Sequence, residues 1–195
     1  MSDWISGLSK SSITLTMDLF NNLQEIFGPE QVSCDTAELY CYSSDTSYIK
    51  ASSDYVVMPS TIREVAAVVK LALKHRTPII PRGAGTGLAG GAVPLCGVIM
   101  LDMSRMNALL DININALQVL VEPGLIHADL NRALEPYGIF FPPDPGSSEM
   151  CTLGGFIANS GSGMRSVKYG TVTDYVLDLE VVMPNGEIIW TGGGP

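Results

Sequence analysis

The residues best equipped for chemistry lie in Pro81-Arg82-Gly83-Ala84-Gly85-Thr86-Gly87-Leu88-Ala89-Gly90-Gly91. Glycine lacks a Cβ, so it turns sharply and lets another group approach its backbone closely. Glycines this dense, just after the apolar run Pro78-Ile79-Ile80, suggest backbone amides aimed at an anion, a phosphate or pyrophosphate. A turn that binds nothing shares the composition. Gly85-x-Gly87-x-x-Gly90 spells the dinucleotide fingerprint, but that fingerprint needs a helix opening on the glycines. Here Gly91-Ala92-Val93-Pro94 follows, then the strand-like Val98-Ile99-Met100-Leu101. The Gly-Lys-Ser/Thr of a Walker loop is missing, as are the downstream motifs of a kinase loop. Phosphate held here is therefore held by the loop's own amides, not by a helix dipole.

A second cluster follows the stiff loop Pro142-Pro143-Asp144-Pro145-Gly146-Ser147-Ser148. It runs Thr152-Leu153-Gly154-Gly155-Phe156-Ile157-Ala158-Asn159, then Ser160-Gly161-Ser162-Gly163. Thr152 can cap a short helical turn there, and Gly154-Gly155 admit a flat or charged ligand. A Gly-Gly pair packed on a neighbour, with no ligand, fits the same letters. His75 stands at a predicted helix C-terminus, where positive charge suits the dipole. His127 reads as a surface or capping residue. Cys34, Cys41, Cys96 and Cys151 form no CxxC pair and no metal-ligand spacing, so they read as reduced and structural.

The elements that must position these loops follow from periodicity and punctuation. Ser12 to Phe27 predicts a helix with Phe20, Leu23, Ile26 and Phe27 on one stripe, ended by Gly28-Pro29. The polar stretch from Ser33 to Ser53 has no clear element. Tyr55 to Met58 predicts a strand. A helix follows with Thr61 and Glu64 spaced as a capping box and Ile62, Val65, Ala66, Val69 and Leu73 inward. With the strand at Pro78-Ile79-Ile80 this is a βαβ unit of parallel strands joined by a right-handed crossover. Its second strand delivers the first glycine loop at a carboxyl end, where α/β sheets place ligands. Val98 to Leu101 and Val119 to Glu122 are further strands. Leu125 to Tyr137 is a helix with Ile126, Leu130, Ala133, Leu134 and Tyr137 inward and Gly138 as its stop. Asp178–Met183 and Glu187–Trp190 flank Pro184-Asn185-Gly186, a hairpin signal.

With 195 residues and 46% apolar content at a mean hydropathy of +0.25, the chain buries a core and is globular. A net charge of −9 argues against a nucleic-acid partner, which needs clustered Lys and Arg. No apolar run reaches transmembrane length, and Met1 to Lys10 lacks the pattern of a signal peptide.

In this order the elements resemble the FAD-linked oxidases of the vanillyl-alcohol oxidase / p-cresol methylhydroxylase type. Within them, the match is to the branch of the glycolate oxidase D-subunit and D-lactate dehydrogenase. The residues that carry the resemblance are Val57-Met58-Pro59 with its helix, Pro81 to Gly91 and Val121-Glu122-Pro123-Gly124. Thr152 to Gly155 with Asn159, and Lys168-Tyr169-Gly170, complete the set. The resemblance implies an α+β FAD-binding domain, a small βαβ subdomain (52–104) followed by a mixed, largely antiparallel subdomain (105–195). A helical extension over about 1–40 would precede them. It implies that Arg82, Gly83, Ala84, Gly85, Thr86, Gly87 and Leu88 cradle the pyrophosphate. Asp144, Ser148, Thr152, Gly154, Gly155 and Asn159 would line the ribityl and flavin side, with Gly163 and Gly170 continuing that wall. FAD would bind non-covalently, since the histidine that some members link to it has no counterpart between Pro81 and Pro94. The implied reaction is hydride transfer from a small 2-hydroxy acid, glycolate or D-lactate, to flavin N5. Electrons would then pass to a separate acceptor, an iron–sulfur subunit, cytochrome or quinone. The location would be cytoplasmic, at the membrane periphery through such a partner. An ether-lipid synthase, a cell-wall reductase or a non-catalytic nucleotide-binding subunit are the alternatives. The substrate-capping domain, with its catalytic base and metal, is expected beyond Pro195, so no catalytic residue is assigned.

Overall fold

The computed structural model describes residues 10–94 and 97–194. Cys96, and the N-terminal segment read for a signal peptide, lie outside the described residues. Helix α1 (Lys10–Phe27) buries Leu19, Leu23 and Phe27 and ends on Gly28, whose φ of 77° suits glycine. Ile26, expected inward, is 53% exposed, and Leu19 takes its place on the stripe. The unplaced polar stretch holds β1 (Val32–Ser33) and α2 (Thr36–Cys41), capped by the Asp35 carboxylate on the amides of Ala37 and Glu38.

Strand β2 (Tyr55–Val57) leads to α3 (Ile62–His75), then β3 (Ile79–Arg82) and β4 (Ile99–Asp102). Thr61 Oγ1 accepts from the Glu64 amide at 3.2 Å, while Glu64 Oε2 accepts from the Ser60 amide at 2.7 Å. The box therefore closes one residue earlier than its spacing implies. Val65, Ala66, Val68 and Ala72 face inward, whereas Leu73 is 60% exposed.

The sheet runs in the order β1-β2-β4-β3, with β2 and β3 both parallel to β4 and β1 antiparallel to β2. The βαβ strands are thus parallel but not neighbours, because β4 sits between them. Tyr55, Val57, Ile99 and Leu101 point into the core shared with α1 and α3. Val56 and Met100, facing the other way, are also fully buried. Runs buried on both faces explain why these strands carry no polar alternation.

The rest of the chain forms two hairpins around short helices. Strands β5 (Leu109–Asn113) and β6 (Gln118–Val121) pair antiparallel with a bulge between Leu109 and Asp111. Helix α4 (His127–Leu134) continues as a 3-10 turn over Glu135–Tyr137 and stops at Gly138 with φ 69°. Leu125, Leu130, Leu134 and Leu153 form a second core beneath β5–β6, while Tyr137 is half-exposed. Helices α5 (Leu153–Ala158) and α6 (Ser166–Tyr169) precede β7 (Glu180–Val182) and β8 (Ile188–Trp190), joined by the Asn-Gly turn. No described helix is long and apolar enough to cross a membrane.

Candidate functional site

Beyond the carboxyl ends of β3 and β4 a cleft of about 470 Å³ opens. Ala84 of the first glycine loop, Ser104 and Asn107 after β4, Gly124 to Ile126, Asp129 and Thr152 line it. It occupies the place where parallel sheets hold ligands. A hollow of about 550 Å³ lies elsewhere, between α3 and the β7–β8 turn, and includes no residue of either glycine cluster.

The two clusters meet in space. A Cβ on Gly83 would fall within 3.1 Å of Thr152 Cβ and Cγ2 and closer still to Oγ1. Thr152 is buried, caps α5 through the Gly155 amide at 3.3 Å and bridges to Ile126. Their amides differ in what they do. Those of Leu153 and Gly154 donate to the carbonyls of Leu125 and Pro123, and that of Gly155 to Thr152. A Cβ on Gly154 would strike Pro123 at 2.6 Å, so close packing accounts for this glycine. Among the described residues, in contrast, the amides from Gly83 to Ala89 donate to no group of the chain. That row of unpaired donors, with Gly87 open on its Cβ side, fits a pyrophosphate.

Arg82 does not project from the loop. It ends β3, is 9% exposed, and donates to the Ser44 carbonyl at 2.9 Å and the Ala92 carbonyl at 3.0 Å. Its guanidinium lies 5.6 Å from the Tyr42 ring centre. The Tyr42 hydroxyl donates to Asp102 at 2.6 Å, and burial followed by the Asp102 carboxylate pushes its pKa far up. Gly85 turns above Arg82 with φ 67°, and Thr86 and Gly87 are half-buried while Leu88 is exposed. Asp45, in the segment beside the loop, keeps a depressed pKa. Its partial burial works against this, but bonds from Ser47 and Ala92 and the Arg82 charge outweigh it.

The remaining expected residues, Asp144, Ser148, Gly154, Gly155, Asn159, Gly163 and Gly170, are not among those that line the cleft. The Asp144 carboxylate pairs with Arg165 Nε at 3.2 Å, and Gly163 presses on the Asp144 carbonyl so tightly that no Cβ fits. The Ser148 carbonyl accepts from the Ala128 amide at 3.0 Å, and Asn159 caps α5 by donating to the Gly155 carbonyl at 2.8 Å. Gly170, at φ 80°, packs against Asp174 in the following turn. His127, expected at the surface, is 1% exposed and lies between Phe141 and Phe156. Its Nε2 donates to the Pro143 carbonyl at 2.6 Å and its Nδ1 is buried without a partner. It fixes the Pro142–Ser148 loop from beneath. Of the described cysteines, Cys34 and Cys41 are exposed and free, and Cys151 is buried, which raises its thiol pKa. No cluster able to hold a metal occurs among the described residues.

Ser104, Asn107, Leu125, Ile126 and Asp129 line the cleft without having been expected there, as does Gly124, which was named only for the resemblance. The signal for Ser104 and Asn107 was present, since they follow directly on a strand end. Asp129 is paired with Arg132, which also reaches Glu149.

The family described as FAD binding domain matches residues 53–192. The glycolate oxidase subunit GlcD of Bacillus subtilis (strain 168) is 41% identical over 180 residues, covering 92% of this chain and 38% of that protein. A D-lactate dehydrogenase of Anaerostipes hadrus is 37% identical, covering 91% of the chain and 38% of its own length. The chain thus spans about two fifths of the length of these curated relatives. A structure of p-cresol methylhydroxylase with substrate bound superposes with a TM-score of 0.81 at 21% identity, covering 96% of this chain and 36% of that one. That likeness shows the fold. With the unpaired amide row at the sheet's carboxyl edge and this match over most of its length, the chain belongs to the FAD binding domain family of vanillyl-alcohol oxidase / p-cresol methylhydroxylase fold.

Proposed function

We propose that this chain is the FAD-holding part of a flavin-dependent dehydrogenase or oxidase of small 2-hydroxy acids, of the glycolate or D-lactate type. The observation that carries the reading is the row of unpaired amides from Gly83 to Ala89 over the cleft. In it Gly83, Ala84, Gly85, Thr86, Gly87 and Leu88 receive the pyrophosphate, and Arg82 supports them from below. Asp144 and Ser148, with Thr152, Gly154, Gly155 and Asn159, bound the ribityl and flavin side, and Gly163 and Gly170 extend it. Bound FAD supplies the hydride acceptor, flavin N5. The chain's own residues bind and orient the cofactor. The names of the two relatives, glycolate oxidase subunit and D-lactate dehydrogenase, support the substrate class. The word subunit in the first supports a separate electron-accepting partner. Residues 52–104 and 105–195 act as the two subdomains, and attachment is non-covalent. The setting is cytoplasmic, with any membrane association made through the partner.

The test is titration of the chain with FAD, FMN and riboflavin, followed by flavin fluorescence quenching. FAD should bind most tightly and riboflavin least. Acid precipitation should release the colour. Equal affinity for all three removes the pyrophosphate cradle, and colour kept in the pellet removes non-covalent attachment. Turnover of glycolate and D-lactate by the longest protein that includes this chain tests the substrate class.

A further inference from the structure

The segment just before the matched family region is not a spacer. Ser43 to Ala51 folds into a narrow loop closed by a bridge between Ser44 and Lys50 and by the Ala51 amide on the Ser43 carbonyl at 2.9 Å. It lies against the first glycine loop. Thr46 Oγ1 donates to the Gly85 carbonyl at 3.4 Å, and a Cβ on Gly90 would come within 3.5 Å of Ile49 Cγ1 and closer to Cδ1. Arg82 ties the two together, because one arm of its guanidinium reaches Ser44 in this strap and the other reaches Ala92 beyond the glycine loop.

We propose that Arg82 is a positioning residue of the nucleotide site: braced by the strap, its buried fork holds the Gly83–Ala89 amides in the array that receives a pyrophosphate. Three observations carry this. The guanidinium spends its donors on two carbonyls from segments far apart in sequence, so it sets a distance between them. Its position is fixed from below. The Tyr42 ring lies beneath it, and the Tyr42 hydroxyl is anchored on Asp102, the residue opposite Arg82 in the β3–β4 register. The Asp102 carboxylate is locked in turn by the Ser104 amide at 2.8 Å. Finally, Gly85 crosses directly above the guanidinium, so close that a Cβ there would lie 2.6 Å from Arg82 Cζ. The loop's shape is thus moulded on Arg82. A lysine has the charge but a single point donor, and it cannot span both carbonyls.

The inference rests on the reading of the loop as a pyrophosphate cradle, and the experiment separates the two. The chain and its Arg82→Lys, Tyr42→Phe and Val56→Ala variants are titrated with FAD and with riboflavin, and each is melted. Val56 is a fully buried residue of β2, a strand that β4 separates from β3 and the glycine loop it delivers, so its variant serves as the control for lost stability. In R82K the FAD affinity should fall about tenfold or more, on the scale of charge-assisted bonds lost, with riboflavin affinity within about twofold. Y42F should lose less, and in the same direction, and it carries the test if R82K does not fold. V56A should lower the melting temperature and leave the FAD-to-riboflavin ratio unchanged. A direct role of Arg82 as a phosphate ligand predicts that lysine keeps the preference for FAD, and that result overturns the proposal. So does the same loss of ratio in V56A. If the unmodified chain itself shows no preference for FAD over riboflavin, the cradle reading fails and the inference fails with it.

Discussion

Replacing Gly83 by alanine probes the contact on which the cleft is built. The φ of Gly83 is not in the left-handed region, so alanine suits the backbone and by itself would stabilise by about 0.4–1 kcal/mol. The new methyl, however, lands within 3.1 Å of Thr152 Cβ and Cγ2 and nearer to Oγ1. Overpacking of this kind costs about 1–3 kcal/mol, so a net loss of about 1–2 kcal/mol is expected. Thr152→Ala removes the offending oxygen and also the cap on α5, at about 1 kcal/mol. The double variant G83A/T152A should then be no less stable than T152A, a coupling of about −1 to −2 kcal/mol. Thr152→Ser, which keeps the oxygen, should leave the Gly83→Ala penalty in place. Urea denaturation of the six proteins (Gly83 and its alanine variant, each with Thr152, T152A and T152S), with FAD titration alongside, measures the cycle. A neutral G83A, or costs that simply add, would refute the meeting of the two clusters.

The remaining predictions concern the loop, its supports and the chain's charge. Gly85→Val forces a β-branched residue to φ 67° above Arg82 and should weaken FAD far more than riboflavin, read by fluorescence quenching; equal losses would contradict the cradle. His127→Leu leaves the Pro143 carbonyl unpaired and should cost about 1–3 kcal/mol by denaturation; no loss would mean that removing the unpartnered Nδ1 offsets the lost bond. For Asp178, desolvation raises the pKa, but Thr191 and the amides of Gly194, Gly192 and Leu179 outweigh it and hold it low. Its contribution to stability is therefore present above the ordinary carboxylate value of about 4 and lost as pH falls through the lower folded value. Hydrogen-exchange protection at residues 178–194, corrected for the intrinsic pH dependence of exchange, should fall in that acid window, and in Asp178→Asn the step should vanish. Raising salt should leave FAD affinity flat or slightly higher, since a chain of net charge −9 repels the cofactor at long range; a steep loss would point to surface cations instead.

Most elements were legible because their signals are local. The Thr61–Glu64 spacing marks the start of α3, Gly138 stops the helical stretch after α4, and Asn185-Gly186 turns the last hairpin. What was not legible depends on distant partners. Nothing in Pro78-Ile79-Ile80 announces that β4 will insert between β2 and β3, since strand order is a matter of pairing. Strand β5 escaped because Leu109–Asn113 is only partly buried and carries no clean alternation. His127 reads as a surface residue because its partner, the Pro143 carbonyl, is supplied by another loop. The same holds for Arg82, whose letters stand in a glycine loop while its side chain serves Ser44 and Ala92.

On the proposed reading of the loop as a pyrophosphate cradle, the chemistry of the site follows from a conflict between charge and ligand. The chain is acidic, and a pyrophosphate is an anion, so clustered lysines are not the means at hand. Asp129 in the cleft is neutralised by Arg132, and the positive charge of Arg82 is linked to Asp102 through Tyr42. What remains is a set of oriented peptide dipoles, effective because they need no net charge and are fixed before the ligand arrives. Fixing them demands that the loop curve tightly over Arg82 and press on Thr152, and both surfaces exclude a Cβ. The density of glycine is therefore a consequence of the support beneath the loop as much as of the ligand above it. On that account, a substitution that leaves every amide in the sequence but moves Arg82 should harm binding as surely as one in the loop itself.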